Sequence, residues 1–135
     1  MEKQTRRTFV AGAVALGASA AATAMPTMQS QDKKHLVHHV YFWLKNRDSK
    51  EDLKKLIEGL NTLKKIEQLK LAKIGVPAST EKRDVVDNSY SVSWLNFFDD
   101  LKGQDEYQVH PIHLKFIEDC KHLWEKVVVY DSSDI

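Results

Sequence analysis

Three side chains of this sequence, His113, Tyr107 and His38, carry groups suited to moving a proton. Two of them stand in the segment Y-Q-V-H-P-I-H over residues 107–113. An imidazole titrates near neutrality and serves as a general base without large tuning. A phenol can donate a hydrogen bond to a carbonyl or enolate oxygen, and a second imidazole can orient the first or a ligand. No Ser or activated Cys is placed beside them as a nucleophile, so the set points to proton transfer rather than to an acyl-enzyme. Each residue also has a purely structural reading. His113 can be a core histidine bonded to a backbone carbonyl, Tyr107 a packing residue with its hydroxyl at a rim, and His110, just before Pro111, a helix cap. His110 and His113 stand at a spacing found in metal sites, with His38 or His39 as a further ligand. No Asp, Glu or Cys joins them at a recognised spacing, so neither a metal nor a cofactor is expected.

The elements that must position these groups are legible as periodic patterns. Residues 35–45, H-L-V-H-H-V-Y-F-W-L-K, are rich in β-branched and aromatic side chains and suit one strand. Alternation puts His38, Val40, Phe42 and Leu44 on one face and Val37, His39, Tyr41 and Trp43 on the other. Asp48 followed by Glu51 marks a helix start, and Leu53, Leu56, Ile57, Leu60 and Leu63 form its apolar stripe. Strands are predicted over 69–76 and 88–98, the latter with Tyr90, Val92 and Trp94 on one side and Ser91, Ser93, Leu95 and Phe97 on the other. A short helix over 99–109 breaks at His110-Pro111. A second runs over 112–124, with His113 on the stripe of Phe116, Ile117, Cys120 and Trp124. Residues 126–130 form the last strand. The order β-α-β-β-α-β is an α+β, ferredoxin-like plan, an antiparallel four-stranded sheet with its helices on one face. The strands are apolar on both sides, so the face away from the helices would meet water unless a second sheet covers it. A homodimer through that sheet face is therefore expected.

Ahead of the domain, residues 1–24 combine Arg6-Arg7-Thr8-Phe9, an uncharged Ala-rich run and a terminal Ala22-Thr23-Ala24. This is the three-part pattern of an export signal of twin-arginine-like type, cleaved after Ala24. It predicts a periplasmic or secreted protein that meets a membrane only transiently during export. Residues 25–34 read as a tether, 35–132 as the domain and 133–135 as a tail. The 20 Lys and Arg nearly balance the 19 Asp and Glu, which removes any bias toward nucleic acid. The single Cys120 excludes an internal disulfide.

The strand H-H-V-Y-F-W-L-K at 38–45, R-D-V-V-D-N-S-Y at 83–90, Y-Q-V-H-P-I-H at 107–113 and L-W-E-K-V-V-V-Y-D at 123–131 resemble the stress-responsive A/B barrel, or Dabb, family. The resemblance implies a ferredoxin-like protomer that pairs as a dimeric α+β barrel. In the family's polyketide cyclase branch, a Tyr and a His near H-P-x-H act by aldol-type condensation. Those positions match Tyr107 and His113, and a first-strand His matches His38. The pocket walls of that branch fall on Val40, Phe42, Leu56, Leu60, Trp94 and Trp124, while its third-strand His falls at Val92. One reading of function is thus an exported dimeric module that binds a small hydrophobic ligand or serves in stress. Another is a cofactor-independent lyase, cyclase or isomerase with His113 as general base and Tyr107 as oxyanion donor. A third is haem or metal handling, as in other dimeric α+β barrels.

Overall fold

The computed structural model describes residues 34–135. The signal expected over 1–24 and the tether up to residue 33 lie outside them. The chain runs β1 (Leu36–Leu44), α1 (Lys50–Leu63), β2 (Leu71–Gly75), β3 (Val92–Phe98), α2 (Leu101–Val109), α3 (Pro111–Cys120), a 3-10 turn (Lys121–Leu123) and β4 (Trp124–Ser133). The strands form one antiparallel sheet in the order β2-β3-β1-β4. This is the ferredoxin-like arrangement, with the second helical segment split in two.

The core lies between the sheet and the helices. Leu36, Val40, Phe42 and Leu44 of β1 and Val92, Trp94 and Phe98 of β3 are buried there against Leu56, Leu60 and Leu63 of α1, Tyr107 of α2 and Phe116 of α3. Local chemistry sets the helix ends. Ser49, rather than Asp48, caps α1, its Oγ accepting from Asp52 N–H at 3.1 Å. His110 ends α2 in an extended conformation and caps α3, its Nδ1 accepting from Ile112 N–H at 3.1 Å, with Pro111 in the first turn.

Several boundaries differ from those read from the pattern. β3 begins at Val92 because Asp87 accepts from the Ser89 N–H and hydroxyl, curling the chain just ahead of it. β2 begins at Leu71 because Leu69 N–H closes a turn onto the Ile66 carbonyl. The last helix stops at Cys120, so Trp124 opens β4 instead of closing a helix. β4 extends to Ser133, and Asp134 N–H bonds the His35 carbonyl at 3.1 Å, so the strand runs into the first residue of the expected tail and the second is tied to its edge.

A register shift lies where β1 meets β4. Trp43 stands opposite Lys126 but Leu44 opposite Trp124, so Glu125 is skipped. This bulge turns Trp124 to the same face as Val127, which simple alternation forbids at that spacing. The outer face of the sheet carries Val37, His39 and Tyr41 part-buried, as alternation predicts. Trp43, by contrast, is already covered. Its indole donates to Ser89 Oγ at 3.0 Å, meets Tyr90 edge-on, and has Lys126 Nζ 4.5 Å from its ring centre.

Helices α1 and α3 cross closely at Gly59, where a Cβ would stand 2.5 Å from Cys120 Sγ and 3.1 Å from the Phe116 ring. Gly59→Ala should therefore destabilise the fold by about 1–3 kcal/mol through overpacking, and adding Cys120→Ala should recover much of the loss. Chemical denaturation of the two variants and the double variant checks this coupling.

Candidate active site

Alternation in β1 sends His38 inward, where it is only 4% exposed. Its Nδ1 lies 2.5 Å from Asp131 Oδ1. Asp131 is brought there by the β1–β4 register, which sets it directly opposite His38. A carboxylate only accepts, so His38 donates from Nδ1, and the neutral imidazole then carries its lone pair on Nε2. On the helical side, His113 Nδ1 lies 3.1 Å from the Gln108 carbonyl oxygen and donates to it. The backbone partner foreseen for a core histidine is thus present, and it too leaves Nε2 as the accepting nitrogen. Tyr107 stands with both imidazoles in van der Waals range, ring centres 5.8 Å from His38 and 4.6 Å from His113.

The Tyr107 hydroxyl accepts from Trp94 Nε1 at 3.1 Å. Asn96, fully buried on the same face of β3, completes the polar layer. In the amide orientation that satisfies both ends, its Oδ1 accepts from Trp94 Nε1 at 2.6 Å and its Nδ2 donates to the His38 carbonyl at 3.2 Å. Burial pushes the Tyr107 phenol up to about 12, with the Trp94 hydrogen bond pulling the other way. The phenol therefore stays protonated at neutral pH and can act only as a donor or an acceptor, not as a base. Burial also holds the His113 imidazole below its ordinary value, partly opposed by the Gln108 carbonyl, with His38 and His110 lowering it further.

These groups border a cavity of about 170 Å³ between the sheet and the helices. Of the six wall positions expected, Val40, Phe42, Leu60, Trp94 and Trp124 line it. Leu56, one turn earlier on α1, does not. Leu63, Phe116, Ile117, Val127 and Val129 complete the apolar lining, with Gln108 at the rim. Val127 and Val129 are 37% and 45% exposed, so the cavity opens along edge strand β4. Trp124 packs on Phe42 at 4.9 Å and stacks on Phe116 at 5.8 Å between ring centres. Among the described residues neither Lys nor Arg borders the space, so these offer no Lys or Arg counter-charge to a phosphate or carboxylate.

His110 stands outside this set, with its Nδ1 committed to the helix cap. Cys120 is buried, and burial raises its thiol, as suits a core residue rather than a nucleophile. Asp131 and Asn96 are the two members not expected from the sequence. Asn96 had a signal, a polar residue in the buried phase of an alternating strand. Asp131 had one only through the strand register.

A cavity bordered by His38, Tyr107 and His113 in a ferredoxin-like α+β protomer defines the class of protein, and comparison with known proteins supplies the family. The stress responsive A/B barrel domain matches residues 36–134, and the chain belongs to that family. Among curated proteins none matches the sequence. A Dabb family protein of ferredoxin-like fold from Mesorhizobium loti superposes with a TM-score of 0.62 at 21% identity, over 76% of this chain and 98% of that one. A hydroxynitrile lyase from Passiflora edulis gives 0.65 at 19%, over 76% and 95%. A dimeric ferredoxin-like protein of unknown function from Thermobifida fusca gives 0.62 at 17%, over 78% and 96%. At these identities the likeness is one of fold.

The lowered His113 value fixes a direction for stability. Above the ordinary imidazole value of 6.5, His113 is neutral whether folded or unfolded. Below it the unfolded chain takes up the proton first, and stability is lost until the folded imidazole titrates as well. The melting temperature should therefore fall between about pH 7 and about pH 5, less steeply in His113→Gln. Part of the slope should remain, because burial lowers His39 in the same direction. Calorimetric melting across that range reads both effects.

Proposed function

We propose that the protein is a homodimer that binds a small, neutral, largely apolar hydroxy or carbonyl compound and acts on it as a cofactor-independent lyase. The observation that carries this reading is the convergence of one protonated phenol and two imidazoles with accepting Nε2 atoms on an apolar cavity. In such a site His113 Nε2 takes the proton of the ligand hydroxyl as the adjacent carbon–carbon bond breaks. The bonding pair leaves with the departing carbon and the hydroxyl carbon becomes a carbonyl. Tyr107 donates to that oxygen throughout, and protonated His113 returns its proton to the leaving group. Asp131 holds His38 in one tautomer beside Tyr107, a positioning role. The Passiflora edulis neighbour, a hydroxynitrile lyase, lends this class support by fold alone.

The dimer is supported by neighbours described as dimeric and by the apolar side chains that alternation leaves on the outer sheet face. Export to the periplasm or beyond is supported by the pattern of residues 1–24.

Release of aldehyde or ketone from a panel of small aryl hydroxynitriles and β-hydroxyketones tests the lyase. Cleavage by the wild type should fall by about a hundredfold or more in His113→Gln and by a similar factor in Tyr107→Phe. Asp131→Asn should lose less. Binding of these compounds without cleavage, unchanged in His113→Gln, would move the protein to the non-catalytic binding reading.

A further inference from the structure

Trp94 occupies a position that the acid-base chemistry does not itself require. It stands on the inward face of β3, opposite Val40 of β1 and Ile74 of β2, and is 1% exposed. Its indole walls the cavity on the sheet side, and its N–H is shared between Asn96 Oδ1 at 2.6 Å and Tyr107 Oη at 3.1 Å. Both facts bear on the ligand. A cavity of about 170 Å³ is close to the size that accepts a single benzene ring, about 150 Å³ in engineered cases. A hydroxyl that receives one hydrogen bond through its oxygen becomes a better donor through its hydrogen.

We infer that Trp94 determines specificity in this pocket, limiting the ligand to neutral carbonyl compounds with one ring and directing the Tyr107 proton onto the carbonyl oxygen. The inference rests on Tyr107 acting as a donor in the pocket proposed above. The absence of Lys and Arg from the lining selects a neutral compound. The aromatic walls Phe42, Phe116 and Trp124 suit a flat one. The size limit comes from a single side chain. Trp124 stands on edge strand β4, where the cavity opens, whereas Trp94 projects its bicyclic ring from β3, between β1 and β2, and closes the inner end. Smaller residues at 94 should lengthen the cavity toward β2 without disturbing His113, which sits on another element.

Acetophenone and 4-acetylbiphenyl, which differ by one ring, test the proposal by calorimetric titration of the purified protein and its Trp94→Leu and Trp94→Phe variants. The wild type should bind acetophenone and take 4-acetylbiphenyl at least about tenfold more weakly, as a misfit ring cannot be accommodated in a close-packed interior. Trp94→Leu should reverse the preference. Trp94→Phe keeps a six-membered ring in the core and removes the N–H donor together with part of the indole. It should weaken acetophenone binding about fivefold, and the infrared carbonyl stretch of bound acetophenone should move back toward its value in an apolar solvent. A merely structural tryptophan would alter both affinities alike and leave the carbonyl band in place. Retention of the single-ring preference in Trp94→Leu, or an unmoved carbonyl band in Trp94→Phe, overturns the inference while leaving the pocket intact. If Trp94→Leu does not fold, the carbonyl band in Trp94→Phe decides alone. Failure of wild type and variants to bind either ketone would instead overturn the pocket on which the inference rests.

Discussion

The pairing of β1 with β4 is the constraint on which the site depends. These strands are at opposite ends of the domain, and only their antiparallel register brings Asp131 opposite His38, Val129 opposite Val40 and Val127 opposite Phe42. The pairing supplies a carboxylate to an otherwise unpartnered buried imidazole and an apolar wall to the cavity. The bulge that skips Glu125 acts in the same place. Without it, alternation would turn a carboxylate inward and Trp124 outward, and the cavity would lose the ring that stacks on Phe116.

The second constraint is the cost of burying polar groups. A phenol, an indole N–H, a carboxamide and an imidazole all lie in or beside a hydrophobic core, where each unpartnered group would cost about 1–3 kcal/mol. They are arranged so that nearly every donor meets an acceptor. Trp94 donates to Tyr107 and Asn96, Asn96 donates to the His38 carbonyl, His38 donates to Asp131 and His113 donates to Gln108. Satisfied in this way, the network holds no partner for the two Nε2 atoms, which with the Tyr107 hydroxyl belong to side chains that line the cavity. Those are the atoms available to a ligand.

The sheet has two faces with different tasks. Its inner face, under the helices, is dense and nearly closed. Its outer face carries Tyr41, Tyr90 and Tyr130 in edge-to-face contact, Tyr41 also meeting His39 Nδ1 through its hydroxyl at 3.1 Å. Burial, with the neighbouring tyrosines, raises the Tyr41 phenol. Such a surface is suited to another sheet, in line with the dimers described among proteins of the same fold.

What the sequence determined by itself was the set of elements and the face each one buries. Alternation in β1 and the leucine spacing of α1 are local and periodic, so the inward positions of His38, Val40, Phe42 and Leu60 are legible in the pattern of residues alone. Pro111 and His110 likewise marked the break between α2 and α3, and the spacing of His113 with Phe116 placed it on the inner stripe. What the tertiary structure decided was everything that depends on register between distant segments. Asp131 looks like the polar end of a strand until β4 lies beside β1, and Asn96 looks like a lapse in a hydrophobic pattern until Trp94 and the His38 carbonyl meet its amide. Leu56 and Leu60 share one helical stripe and are both fully buried, and only the height of α1 over the sheet sets the second, and not the first, against the cavity. Trp124 reached the cavity by a bulge in a strand and not by a helical turn, because both geometries turn it inward. Periodicity fixes direction within an element, whereas contact between elements depends on pairings that no local pattern encodes.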